Sequence, residues 1–191
     1  VSPVRLVIVG RQGSGKGTQC ARLVERYGTV HISTGDMLRA AVVAGTELGQ
    51  KAKALMDVGE LVPDEIMNGI VEERLGQPDV VADGFLLDGF PRTPAQAETL
   101  ERIVGPGGLD VAINLDVPVD EVTARMLARG RADDTEASIR RRLELYEQET
   151  APLLSWFASR GLLATIDGMG TEDEVFARLV ASIEERHDEC C

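Results

Sequence analysis

The sequence predicts an α/β fold, a doubly wound five-stranded parallel sheet with helices on both faces. Three observations predict it. Five short apolar runs alternate with helical patterns, the order that builds a parallel sheet covered by crossover helices. A loop holding Gly10, Gly13, Gly15 and Gly17 joins the first run directly to the first helix. The third run ends in Asp88, at the carboxyl end of a strand, which in such a sheet faces the ligand crevice.

The runs read as buried strands are 5–10, 30–33, 85–88, 111–117 and 163–167. The first helix, 18–27, contains no glycine or proline and stops at Gly28. Between the second and third strands lie three helical segments, 34–44, 47–58 and 64–75, separated by Gly45 and by 59–63. Three helices exceed a plain crossover and predict a small substrate-holding subdomain. Pro118 is read as the first residue of a helix that continues to Gly130. Thr135 can cap the next helix, which contains 139–150, and Pro152 is expected to kink or break it before 153–159. Thr171 caps the last helix, with Glu174 three residues on, a capping-box pattern. Tyr146, Trp156 and Phe157 read as packing residues, and no internal repeat is visible.

At 191 residues the chain fits one globular domain with a proper core. Its net charge of −12 argues against a nucleic-acid partner, so an anionic ligand has to be met by a local cluster of cations. Of the 20 basic residues only Lys16, Lys51 and Lys53 are lysines. Arginine suits bidentate phosphate contacts, although biased coding gives the same skew. Cys20 lies on an apolar helix, and the adjacent Cys190 and Cys191 make a poor disulfide framework, which points to a reducing compartment. The run 4–9 is too short for a signal peptide and is interrupted by Arg5; no run of 18 apolar residues exists. A cytoplasmic protein without a membrane partner is the expectation.

The glycine loop has the chemistry of a phosphate cradle. Glycines let backbone N–H groups turn inward as an anion nest, and the following helix adds its free amides and dipole. The spacing Gly10-x4-Gly15-Lys16 places a lysine for the β- and γ-phosphates, with Gly17 at the usual hydroxyl position and Thr18 after it. Asp88 suits Mg²⁺, directly or through water. Arg92, just past Pro91, is placed as a phosphate fork. Arg125 and Arg129, four apart, share a helix face; Arg131 follows Gly130, and of the triplet Arg140, Arg141 and Arg142 the last is the one expected to converge. Asp133 and Asp134 can tether these arginines.

Residue chemistry alone leaves several functions open. They include kinases for other monophosphates or with GTP as donor, a metabolite kinase on the same fold, and a nucleotide-dependent switch. The run Asp88-Gly-Phe-Pro-Arg92 opposes the metabolite kinase, and the missing Asn-Lys-x-Asp motif opposes a GTP switch.

Four separated motifs then carry a specific resemblance. They are Gly13-Ser-Gly-Lys-Gly-Thr18, Ile32-Ser-Thr-Gly-Asp-Met-Leu-Arg39, Asp88-Gly-Phe-Pro-Arg-Thr-Pro-Ala-Gln96, and the stretch 146–152 after the arginine triplet. In this order, over nearly the whole length, the chain resembles the adenylate kinases of the nucleoside monophosphate kinase family. The resemblance implies a P-loop NTPase-type sheet with a helical NMP-binding subdomain, 34–73, and a short lid, 130–134. It implies reversible transfer from Mg·ATP to AMP, giving two ADP.

Carried over residue by residue, the resemblance implies that Gly13, Ser14, Gly15, Lys16, Gly17 and Thr18 wrap the ATP phosphates. Arg129 would approach ATP from the lid and Gly170 would border its adenine. AMP would be held by Thr34, Arg39, Glu60, Leu61, Val62, Gly89, Phe90, Pro91, Arg92 and Gln96, with Arg131 and Arg142. Lys16, Arg92, Arg125, Arg129, Arg131 and Arg142 would act in catalysis. Gln96 is suited to a purine edge, since its amide offers a donor beside an acceptor. His31, before the second motif, is expected to pack structurally.

Two departures from the family pattern stand out. Gln12 occupies a position that is usually proline. The lid is short, and a four-cysteine zinc lid is excluded because no cysteine lies between Cys20 and Cys190. No zinc is therefore expected, and the short form implies a monomer.

Overall fold

The computed structural model describes residues 3–189. Its five strands are β1 (Val4–Val9), β2 (Val30–Ser33), β3 (Gly84–Asp88), β4 (Val111–Asp116) and β5 (Leu163–Asp167). All pair in parallel, in the order β2-β3-β1-β4-β5. Each predicted strand is present to within one residue at either end. Among the described residues no helix is long and apolar enough to cross a membrane.

Alternation along the strands divides the core in two. Val7, Val9 and Leu87 face one layer, which also holds Phe85, Phe90, Leu100, Leu153 and Phe157. Leu6, Ile8, Leu86 and Ile113 face the other, with Cys20, Leu23, Leu179 and Ile183. Successive strand side chains point to opposite faces, so a strand covered on both sides must be apolar throughout.

The helix α1 (Lys16–Tyr27) begins two residues earlier than predicted, because the glycine loop passes straight into the first turn, and it ends on Gly28 in the left-handed conformation. It packs on α10 (Glu172–Glu189), the last described element. Two exposed ion pairs span this interface, Arg22 to Asp173 and Arg26 to Glu184. Such pairs contribute about 0–1 kcal/mol each. Fully burying Leu23, Leu179 and Ile183 contributes roughly 1.5–3 kcal/mol each, so apolar packing is what holds α10 in place.

Four helices, not three, separate β2 from β3. They are α2 (Thr34–Val43), α3 (Glu47–Val58), α4 (Asp64–Leu75) and the unpredicted α5 (Pro78–Asp83). Ser33 caps α2 by accepting from the Asp36 amide, and Thr46 caps α3 through the Gly49 amide. Helix α6 (Pro94–Val104) is capped by Thr93 and starts with proline at its first position.

Pro118 is corrected from the first helical residue to the cap of α7 (Val119–Arg129). Its φ of −55° and ψ of 148° are extended, and the helix starts one residue later. Residues 130–135 then lead to α8 (Glu136–Leu145), where Thr135 and Ser138 form a reciprocal capping box. The expected break at Pro152 is corrected too. A π-helical stretch, Tyr146–Thr150, joins α8 to α9 (Ala151–Ala158), and the Ala151 amide reaches back to the Tyr146 carbonyl. Helical structure therefore runs without a gap from Glu136 to Ala158 although Pro152 offers no N–H. Thr171 and Glu174 cap α10 as predicted.

Candidate active site

Strand β1 lies between β3 and β4, so the loops after β1 and β3 leave the sheet side by side, at the switch point where open α/β sheets bind ligands. A cleft of about 620 Å³ lies there. Its floor is the glycine loop. Gly13 has φ +84°, and a Cβ on it would stand 2.7 Å from the Val122 carbonyl oxygen, so no other residue fits without moving α7. Gly13, Gly15, Lys16, Gly17 and Thr18 all line the cleft. Ser14 does not; it is buried, and its hydroxyl lacks a hydrogen-bond partner.

The Lys16 ammonium folds over the loop and donates to the carbonyls of Gly10 (2.8 Å) and Arg11 (3.0 Å). Burial lowers its pKa, and the nearby Asp88 carboxylate opposes that shift. Arg11 ties the loop outward. It donates to Glu147 and Asp116, and its guanidinium lies 5.1 Å from the Tyr146 ring centre.

The end of β3 supplies the opposite wall. Burial pushes the Asp88 carboxyl upward, but His31, Lys16 and Arg92 more than offset this and hold it below the usual carboxylate range. The chain then turns at Gly89, φ +87°, where a Cβ would strike the Thr34 hydroxyl at 2.6 Å. That closeness lets Thr34 donate to the Asp88 carbonyl. Arg92 donates to the Gly89 carbonyl at 2.8 Å; burial lowers its pKa and Asp88 raises it.

Arginines close the ring. Arg39, Arg92, Arg125, Arg129, Arg131 and Arg142 line the cleft with Lys16, against the carboxylates of Asp36 and Asp88. An acidic protein thus presents a strongly basic crevice. Arg39 pairs with Asp36 and Arg125 with Glu121. Arg142 pairs with both Asp133 and Asp134 and donates to the Met56 carbonyl. Burial and the charges of Arg129 and Arg39 lower the pKa of Arg131. Arg140 is exposed and Arg141 turns away to Glu60, so Arg142 alone of its triplet enters the cleft.

A second cavity, about 60 Å³, adjoins the first. It is lined by Thr34, Arg39, Glu60, Leu61, Val62, Gly89, Arg92, Gln96 and Arg142, among others. The Gln96 oxygen accepts from the Arg92 amide and its nitrogen donates to Asp64, both at 2.7 Å. One N–H and one lone pair of the amide remain for a ligand.

Pro91 lines the larger cleft, whereas Phe90 is 1% exposed in the core and Gly170 is exposed beyond β5; neither lines either cavity. Tyr146 packs against one core layer as expected, and two residues read as packing also reach the cleft. His31 and Tyr146 both line the cleft, because His31 projects on the same face of the sheet as Asp88 and Tyr146 lies one turn past Arg142. The i, i+4 spacing of Arg142 and Tyr146 was the available signal. Gln12 and Asp36 also line the cleft; Gln12 lies inside the glycine loop, and Asp36 stands three residues before Arg39 on α2, a spacing that was equally available.

A family model described as adenylate kinase matches residues 8–162, which includes the glycine loop, both cavities and all six cleft arginines. The chain belongs to the adenylate kinase family. It is 50% identical to an adenylate kinase of Stenotrophomonas maltophilia (strain R551-3), over 94% of this chain and 99% of the relative. An adenylate kinase of Mycobacteroides abscessus is also 50% identical, over 92% of this chain and 96% of its own length. One from Thermodesulfovibrio yellowstonii is 44% identical over 96% and 100%. Adenylate kinases are phosphotransferases that convert ATP and AMP to two ADP, and this chain is such an enzyme. The five-stranded parallel sheet is the adenylate kinase fold.

Proposed function

We propose that the larger cleft holds Mg·ATP and the smaller cavity AMP, with phosphoryl transfer where they meet. The observation that carries this reading is that Arg39, Arg92 and Arg142 line both cavities. Cations shared between two anion sites are where charge shifts during transfer.

In this reading Gly13, Ser14, Gly15, Lys16, Gly17 and Thr18 wrap the ATP phosphates, mostly through backbone amides. Arg129 and Gly170 approach the donor from outside. Thr34, Arg39, the backbone of Glu60, Leu61 and Val62, the turn Gly89-Phe90-Pro91, Arg92 and Gln96 hold AMP. Phe90 contributes main chain only. Arg125, Arg129, Arg131 and Arg142 clamp the phosphates. The AMP phosphate is already a nucleophile at neutral pH, so no general base is needed, and catalysis is alignment plus charge stabilisation.

The donor set fits Mg²⁺. Asp88 is a carboxylate held ionised on the cleft wall, and Thr18, which carries a hydroxyl, lines the same cleft. One or two hard oxygens, with waters and phosphate, are what Mg²⁺ takes. Held by Asp88 and Thr18, the ion would supply charge neutralisation to the phosphates during transfer.

The helices spanning 34–73 close over AMP and the connection 130–134 closes over ATP, excluding water from the transferred group. The enzyme acts as a monomer in the cytoplasm, where the free, buried Cys20 suits a reducing environment. Coupled assays with Mg·ATP and AMP, UMP, CMP or GMP test the base assignment. A strong AMP preference is expected, with little hydrolysis when no acceptor is present. Preference for another acceptor would overturn the Gln96 assignment.

A further inference from the structure

Two residues beside the cleft have no part in the proposed transfer. His31 pairs in register with Leu86, and Asp88 lies two residues beyond Leu86. All three therefore project from the same face of the sheet. Leu86 packs in the layer that contains Cys20 of α1. The topology thus gathers a thiol, an imidazole and a carboxylate, with one ligand atom from each within 4.8 Å of the others.

The imidazole is also unsatisfied. His31 Nε2 is shielded from solvent and has no hydrogen-bond partner. It stands 3.9 Å from Asp88 Oδ2, beyond hydrogen-bond reach. A buried nitrogen left this way costs free energy that a ligand bond recovers.

The donor set selects the ion. Mg²⁺ takes oxygens and leaves sulfur and nitrogen unused. Sulfur, nitrogen and oxygen together suit a thiophilic ion. Bond lengths of about 2.0–2.3 Å give tetrahedral edges of roughly 3.3–3.8 Å. The His31–Asp88 edge nearly fits as it stands, and the two edges to sulfur, about 3.5–3.7 Å in such a site, need to shorten by at most about 1.3 Å.

We propose that Cys20, His31 and Asp88 bind a thiophilic divalent cation, Zn²⁺ or Cd²⁺, and that the bound ion stops phosphoryl transfer by holding the Asp88 carboxylate. The second half rests on the role proposed for Asp88 toward Mg²⁺; the first does not. Burial holds the Cys20 thiol protonated, so binding expels that proton to solvent as the metal–sulfur bond forms. Three protein ligands leave a fourth position for water. The ion acts as a reversible inhibitor, unlike the structural metal of a four-cysteine lid.

The test uses the full chain carrying Cys190→Ser and Cys191→Ser, so that only Cys20 can report. Cd²⁺ is titrated without nucleotide while the ultraviolet thiolate-to-metal absorption is followed. The expected result is one Cd²⁺ per chain, loss of the band on adding Cys20→Ala, and binding weakened about 10-fold or more by His31→Gln. Circular dichroism checks both folds, and His31→Gln carries the test if Cys20→Ala does not fold. In metal-buffered assays Zn²⁺ inhibits the parent, excess Mg·ATP relieves the inhibition, and Cys20→Ala turns over normally and resists Zn²⁺. Absence of the band, or its survival in Cys20→Ala, overturns the site. A Cys20-dependent band without inhibition overturns the inhibitory role and the placing of Asp88 beside Mg²⁺, while the site stands.

Discussion

Asp134 grips Arg129 at two points. Nε and Nη2 of the arginine each lie 2.8 Å from a different carboxylate oxygen, and Arg142 reaches one of those oxygens at 3.0 Å. The Asp134 side chain is 0% exposed. One carboxylate therefore orients two of the guanidiniums assigned to the phosphates. Asp134→Ala is expected to lower kcat by about 100-fold, since misplacing a catalytic group by an ångström costs that much. Steady-state kinetics on folded variant checks it, and an unchanged kcat would remove the positioning role.

Lys16→Met removes the cation while keeping much of the side-chain volume. The expected loss is about 10²–10³-fold in kcat, the size seen when one stabilising donor is lost from a charged transition state. The ammonium also bridges the Gly10 and Arg11 carbonyls, so ATP affinity falls as well. Turnover near that of the wild type, in protein with an intact far-ultraviolet spectrum, contradicts the assignment.

Gln96→Ala should show two effects. The Arg92 amide and the Asp64 carboxylate lose their partner, which costs roughly 1–3 kcal/mol of stability in a denaturant titration. The KM for AMP should rise more than that for ATP. Equal shifts would leave Gln96 structural only.

Phe90→Ala separates core from site within one motif. Truncating this buried ring is expected to cost about 3–5 kcal/mol. The AMP KM of the remaining folded enzyme should hardly move. A raised KM with unchanged stability would return Phe90 to the binding surface.

Arg74 holds Asp79 through two hydrogen bonds, which bring the Asp79 pKa down to about 2. A depressed carboxyl pKa stabilises the fold above the unfolded value of 3.8, and the contribution disappears as pH falls through about 2. Asp79→Asn should therefore lower Tm at neutral pH, with the gap to wild type closing between these two values. The pair is exposed, so the gap is small. A gap independent of pH would show that the ion pair contributes nothing.

The strands were legible because buried parallel strands read as continuous apolar runs bounded by turn residues, and all five lie within a residue of expectation. Their order was not legible, since an apolar run records that it is buried and not which strand lies beside it. Helix α5 escaped because six residues give too little periodicity, although Pro78 marks its start. Spacing placed Arg125 and Arg129 on one face, and the structure brings both to the cleft. The burial of Phe90 and the cleft position of His31 depended on which way a strand end faces, which residue chemistry alone leaves undetermined.

The sheet order also governs how the protein comes to be built. β1 is made before the other four strands and is the middle strand of the sheet, and its partners are β3 and β4. Until Asp116 has been synthesised, the strand that leads into the phosphate loop has at most one neighbour. A chain halted before Gly84 has neither of them. The nucleotide-binding end is therefore among the last parts to become native during synthesis, and each β1 pairing has to close a long loop first. Only two pairs, β2 with β3 and β4 with β5, join strands that are consecutive in the chain and adjacent in the sheet, and neither includes β1. ATP offered to a nascent chain would thus find its loop translated early and its binding site assembled late.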